Sequence, residues 1–152
     1  MKVIRDYQFV ETADKGASVA IGNFDGVHLG HQSVIASART TAKALRAPLG
    51  VLTFEPHPRS YFAPHAPAFR LMSPEARATR LSKLGIDLLY ELNFNGSLSS
   101  LSPQDFVQKV IKEGLGLCHV VVGTDFCFGK QRSGDAENLK DYGQEMGFGV
   151  TI

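Results

Sequence analysis

The chain has 152 residues, 43% of them hydrophobic and 20% charged, with a formal net charge of +1. This is one domain's length, with ordinary soluble-globular composition, and the absence of a basic block argues against a nucleic-acid partner while leaving room for one small phosphorylated ligand. Cys118 and Cys127 are too few for a disulfide scaffold and lack a metal-ligand spacing. No signal-peptide layout opens the chain, and no apolar run approaches the ~18 residues of a membrane span. The expectation is a soluble, cytoplasmic protein with neither membrane nor nucleic acid as partner.

Residues 2–10 can form a short strand ahead of the core, and Ala17–Ile21 reads as a buried strand ending at Gly22. A helix is expected from near His31, because Val34, Ile35, Ala38, Ala42 and Leu45 share one helical face. Arg39, Lys43 and Arg46 suit the negative end of its dipole, and Pro48 closes it. Leu49–Phe54 is a second strand, so strand, helix and strand make a βαβ unit with a right-handed crossover. The following stretch holds Pro56, Pro58, Pro64, Pro67 and Pro74 among aromatics and histidines. It predicts a long, ordered, functional loop through which no helix or central strand runs.

Ser73-Pro74-Glu75 is a helix start with an N-cap serine and a first-turn proline, and Gly85 ends that helix. Ile86–Asn93 predicts the third strand. Ser102-Pro103-Gln104-Asp105 repeats the start signal, and Gly114 is read as the C-cap. Cys118–Gly123 is the fourth strand, Asp135 caps a last helix with Leu139, Tyr142 and Met146 on one face, and Phe148–Ile152 begins a fifth strand. Alternating strands and helices specify an α/β fold: a doubly wound, Rossmann-like parallel sheet with helices on both faces. The loops 22–31, 55–70 and 123–135 each follow a strand, so all three should open on the sheet's carboxyl edge.

In the first of these loops, Gly22, Gly26 and Gly30 remove side chains where the backbone turns sharply or approaches a ligand. A helix starting there points unpaired N–H groups and a positive dipole end at an anion. His28 and His31 add two donors to that anion site, and a nearby triphosphate raises their pKa from ~6.5. Such donors suit charge growing on a leaving pyrophosphate. With no third ligand beside them, the two histidines do not specify zinc. In the second loop, prolines preset a rigid platform, His57 is a candidate phosphate donor, and Tyr61, Phe62 and Phe69 offer flat surfaces for a ring system. In the third, alternation sends Phe126 and Phe128 to one side and Asp125 and Cys127 to the other, with Lys130 and Arg132 as cations near phosphate.

GNFDGVHLGH at 22–31 resembles the GxFDGxHxGH signature of the nucleotidyltransferase superfamily. Its full form is similar to the adenylyltransferase module of bacterial bifunctional FAD synthetases, which are riboflavin kinase/FMN adenylyltransferases. TFEPHP at 53–58, LMSPEARATRL at 71–81 and VGTDFCFGKQRSGD at 122–135 resemble further elements of that family in the right order. The resemblance implies the nucleotidyltransferase fold, over one FMN adenylyltransferase domain at residues 1–152. It implies that His28 and His31 act on the ATP phosphates, while Gly22, Asn23, Phe24, Asp25 and Gly30 form the ATP side. Pro56, His57, Pro58, Phe62, Asp125, Phe126, Phe128 and Arg132 form the FMN side. The reaction implied is FMN + ATP giving FAD + pyrophosphate, with Mg²⁺ bridging the phosphates and no protein metal ligand named by the sequence.

The family's module continues into an ISSTxIR-type segment that this sequence lacks, and a riboflavin kinase domain normally follows. The expectation is therefore a domain truncated at its C-terminal end, from a parent chain that also carries the kinase. The alternatives are a fragment that binds flavin or nucleotide without turnover, and another adenylyl- or cytidylyltransferase of the superfamily.

Overall fold

Aliphatic runs too short for helices become strands, and the capped amphipathic stretches between them become the helices that cover the sheet. In a computed structural model, which describes residues 1–27, 29–65 and 71–152, the strands are β1 (Lys2–Ile4), β2 (Ser18–Ile21), β3 (Leu49–Glu55), β4 (Leu88–Asn93), β5 (His119–Val121), β6 (Cys127–Phe128), β7 (Gly134–Asp135) and β8 (Gly149–Thr151). Among the described residues, six of them form one sheet in the order β1-β4-β3-β2-β5-β8, with every neighbouring pair parallel. β6 and β7 make a separate antiparallel pair. The helices are α1 (Leu29–Leu45), α2 (Pro58–Phe62), α3 (Pro74–Lys83), α4 (Gly96–Ser99), α5 (Pro103–Asp105, continuing as a π-helix over Phe106–Gly114) and α6 (Ala136–Met146).

The period of two along each strand divides the core between the faces. Val19, Ile21, Leu52, Tyr90, Leu92 and Val120 meet the inward side chains of α5 and α6, including Val107, Ile111 and Leu139. Ala20, Val51, Leu89 and Val121 meet Ile35, Ala38 and Ala42 of α1 and Leu81 of α3. The doubly wound α/β expectation is the architecture observed. Its start signals hold as well: Ser73, Ser102 and Asp135 accept from the backbone N–H groups of Ala76, Asp105 and Asn138.

Several local expectations need correction. The N-terminal strand stops at Ile4 rather than continuing to residue 10, because Asp6 caps a short 3₁₀ turn over Tyr7–Phe9. That strand is nonetheless part of the sheet, pairing in register with β4 at its edge. α1 begins at Leu29, two residues before His31. A helix does enter the proline-rich stretch: His57 caps α2, and Pro58 occupies a first-turn position where no N–H is needed. Gly114 is not the C-cap. The π-helix runs through it, and a Cβ there would lie 2.8 Å from both Lys109 O and Tyr7 O, so a side chain would push away the N-terminal segment. Left-handed backbone appears two residues later, at Gly116.

His119 on β5 places Nε2 2.8 Å from Thr151 Oγ1 on β8, and burial lowers its pKa below 6.5. The unfolded chain thus takes up this proton at a higher pH than the folded chain. Stability should be complete above about pH 6.5 and decline as pH falls from there toward the folded-state pKa. Urea midpoints across that range should show the decline in the native protein and flatten in His119→Gln.

Candidate active site

The topology places the three unusual loops next to one another. β3, β2 and β5 are consecutive in the sheet, and the loops beginning at Pro56, Gly22 and Val122 leave their carboxyl ends. β2 and β5 also flank the point where the strand order reverses, the crevice where doubly wound sheets hold ligands.

The first loop is built to turn, and its interior is filled by its own residues. Phe24 takes left-handed φ (53°) and is 1% exposed, its ring at the foot of α1 and 5.0 Å from the His31 ring, edge to face. A ring so covered wedges the loop against the helix that carries His31. Asp25 is likewise engaged within the fold, its carboxylate accepting from Leu71 N (2.9 and 3.0 Å) and Met72 N (3.1 Å). Gly26 has φ +83°, a turn conformation that disfavours a side chain there. Gly22, Asn23, Gly30 and His31 remain at the loop and the first turn of α1, whose 17 residues give it a full dipole. The Asn23 Oδ1 acceptor is buried without a hydrogen-bond partner. His28 lies outside the described residues, as does Phe69.

On the β3 side, His57 Nδ1 accepts from Arg59 N at 3.1 Å. An Nδ1 used as acceptor puts the proton of the neutral ring on Nε2, a suitable donor for phosphate. Tyr61 and Phe62 stand exposed on α2, and Phe62 is 67% accessible. On the β5 side, Phe126 and Phe128 do share a side, with rings nearly parallel (15°) and 5.5 Å apart. Phe128 is buried beneath Phe126, while Asp125, Lys130 and Arg132 are exposed, the two cations on the turn that joins β6 to β7.

The sequence did not reveal that these two aromatic groups are joined. Phe62 and Tyr61 contact Phe94, Phe94 contacts Phe54, Phe54 contacts Phe106, and Phe106 contacts Phe128, with centroid separations of 5.3 to 6.4 Å. A continuous chain of rings therefore runs across the carboxyl edge from α2 to the β6–β7 hairpin. Two cavities, of about 240 and 370 Å³, lie instead beside the N-terminal segment near Tyr7 and Gln8. No group of three His, Cys, Asp or Glu side chains converges among the described residues.

Sequence reasoning also passed over Arg77, the largest fully buried side chain. From α3, its Nη1 donates to Asn23 O (3.1 Å) and its Nη2 to Glu55 Oε2 (2.9 Å), with Glu91 Oε2 at 3.5 Å. Thr53 Oγ1 donates to the same Asn23 carbonyl at 3.2 Å. Arginine in a capped helix carries no local signal of burial; only its place on the apolar face, four residues before Leu81, hinted at it.

Asp25 thus ties the loop to the start of α3, and removing it leaves two backbone donors without their charged acceptor. Asp25→Ala should cost about 1–3 kcal/mol of stability by urea unfolding.

The FAD synthetase family model matches residues 10–152. A bifunctional riboflavin kinase/FMN adenylyltransferase of Pseudomonas fluorescens is 40% identical over 150 residues, which cover 99% of this chain and 48% of that protein. The corresponding protein of Listeria monocytogenes is 38% identical over 143 residues, covering 93% of this chain and 45% of that one. The chain therefore spans about half the length of these curated relatives. A solved structure described as a macrolide-efflux protein from Streptococcus pneumoniae superposes with a TM-score of 0.84 at 29% identity, covering 99% of this chain and 50% of that one. With a glycine-rich loop ahead of α1, aromatic loops on its two flanks and a family match over nearly its whole length, the chain belongs to the FAD synthetase family.

Proposed function

We propose that this chain transfers the adenylyl group of ATP to FMN, forming FAD and releasing pyrophosphate. One observation carries the reading: the loop that leads from β2 into α1 lies between two aromatic loops, on the strands β3 and β5 that flank β2. A triphosphate at the α1 N-terminus and a flavin against the rings would then meet at one sheet edge. The proposal takes the adenylyltransferase half of the relatives' double name; riboflavin kinase activity is proposed for the portion of the relatives that this chain does not match. The efflux description of the structural neighbour has no counterpart in these loops.

An oxygen of the FMN phosphate attacks the α-phosphorus of ATP in line. The bond to the β-phosphate bridging oxygen breaks, and its electron pair leaves with pyrophosphate. No protein nucleophile is needed, so the chain contributes position and charge. The α1 backbone N–H groups with His31 and His28 would receive the triphosphate and the charge that grows on the leaving group. Asn23 and the glycines at 22 and 30 would form the nucleotide side. His57 Nε2–H, with Pro56 and Pro58 holding its loop, would meet the FMN phosphate. Phe62 and Phe126, backed by Phe128, would face the isoalloxazine, with Asp125 and Arg132 at its polar rim. The described carboxylates make no cage for a divalent ion, so Mg²⁺ would enter with the ATP phosphates, and no step here is derived through it.

A FAD-formation assay tests this directly. His31→Ala and His28→Ala should each lower turnover by about 10²–10³-fold, as expected for loss of a donor to developing negative charge. Flavin and ATP binding without pyrophosphate release, or unchanged turnover in both variants, would overturn the reading.

A further inference from the structure

We propose that Arg77 is a positioning residue that couples the two substrate loops, so that flavin binding on one side strengthens nucleotide binding on the other. This deepens the adenylyltransferase reading and rests on it. The guanidinium is fully buried, with side-chain exposure of 0%, against 27% for Glu55 and 8% for Glu91. One Nη holds the Asn23 carbonyl, in the loop before α1. The other holds Glu55, the last residue of β3 and the one that leads into Pro56 and the His57 cap of α2.

A guanidinium is planar and rigid, so its two Nη atoms cannot move independently. Whatever orders Glu55 therefore acts on Asn23. Its setting is dry, which strengthens the charge-assisted bonds within it. The Asn23 carbonyl is also held by Thr53 Oγ1, from the same face of β3 as Glu55. Thr53 in turn stands in register with Glu91 on β4, whose carboxylate lies against Arg77 and, on its other oxygen, Arg5. The next residue after Asn23 is Phe24, in the left-handed region where a non-glycine residue persists only if its surroundings hold it. A shift at Asn23 therefore passes to the wedge beneath His31. The path from flavin loop to phosphate loop is two hydrogen bonds on one side chain.

The test is calorimetric titration of a non-hydrolysable α,β-methylene ATP into this chain, with and without FMN, beside steady-state FAD formation. In the native protein FMN should tighten the analogue about fivefold or more. In Arg77→Lys, which offers one cation but no fork, that factor should fall to about one, with kcat lowered about tenfold. Glu55→Gln keeps an acceptor while removing the charge; it should lose most of the factor, and it serves if Arg77→Lys does not fold. A purely structural Arg77 would lower the melting temperature and leave the factor unchanged. That result, or a native protein that makes FAD with no coupling between its substrates, would overturn the proposal. A native protein that makes no FAD would instead overturn the reading beneath it.

Discussion

The arrangement of this molecule's carboxyl edge depends on one buried cation. Arg77 is withdrawn from water completely, at a desolvation cost of several kcal/mol, and is tolerated because two carboxylates and a backbone carbonyl surround it. Those partners come from the end of β3, from β4 and from the loop after β2. Three separate pieces of chain are thereby referred to one planar group on α3. Asp25 makes the reverse link, from the loop to the backbone that starts α3. Loop and helix thus hold each other by charge-assisted bonds in both directions.

The parallel sheet determines where these bonds act. Parallel strands send all their carboxyl ends to one edge, and crossover connections put the helices on the two faces. With β3, β2 and β5 adjacent, three loops of different chemistry become neighbours without any long-range design of their own. The central loop offers backbone donors and a helix dipole, and the flanking loops offer rings. The ring chain from Phe62 through Phe94, Phe54 and Phe106 to Phe128 ties the flanks together by apolar contact, as Arg77 ties the centre by charge. The edge therefore has a polar support, buried at Arg77, and an apolar one, which surfaces at Tyr61 and Phe62.

Strand edges show a similar economy. β1 is only three residues long, yet it closes one edge of the sheet against β4. The segment behind it is held where Lys2 Nζ meets Asp14 at 2.6 Å and the buried Tyr90 hydroxyl donates to Asp14 O at 2.6 Å. Burial of that hydroxyl pushes its pKa upward, which keeps it a neutral donor. Close approach of Tyr7 O to Gly114 explains why glycine occurs within a helix, where propensity alone disfavours it.

By itself, the sequence determined the central strands, the helix starts at Ser73, Ser102 and Asp135, and the order of the three loops. These rest on local physics: a period of two, serine and aspartate caps that bond three residues ahead, and prolines in the first turns of α3 and α5. It also carried the family signature, because that signature is written in consecutive residues. Only the tertiary structure decided what lies between distant segments. It put the Phe24 ring under α1, and it engaged Asp25 with the backbone of Leu71 and Met72. It also made Arg77 the common partner of Asn23, Glu55 and Glu91. The Asp25 and Arg77 contacts join segments far apart in sequence, and their existence depends on which faces the sheet brings together and on which charges find a partner when water leaves.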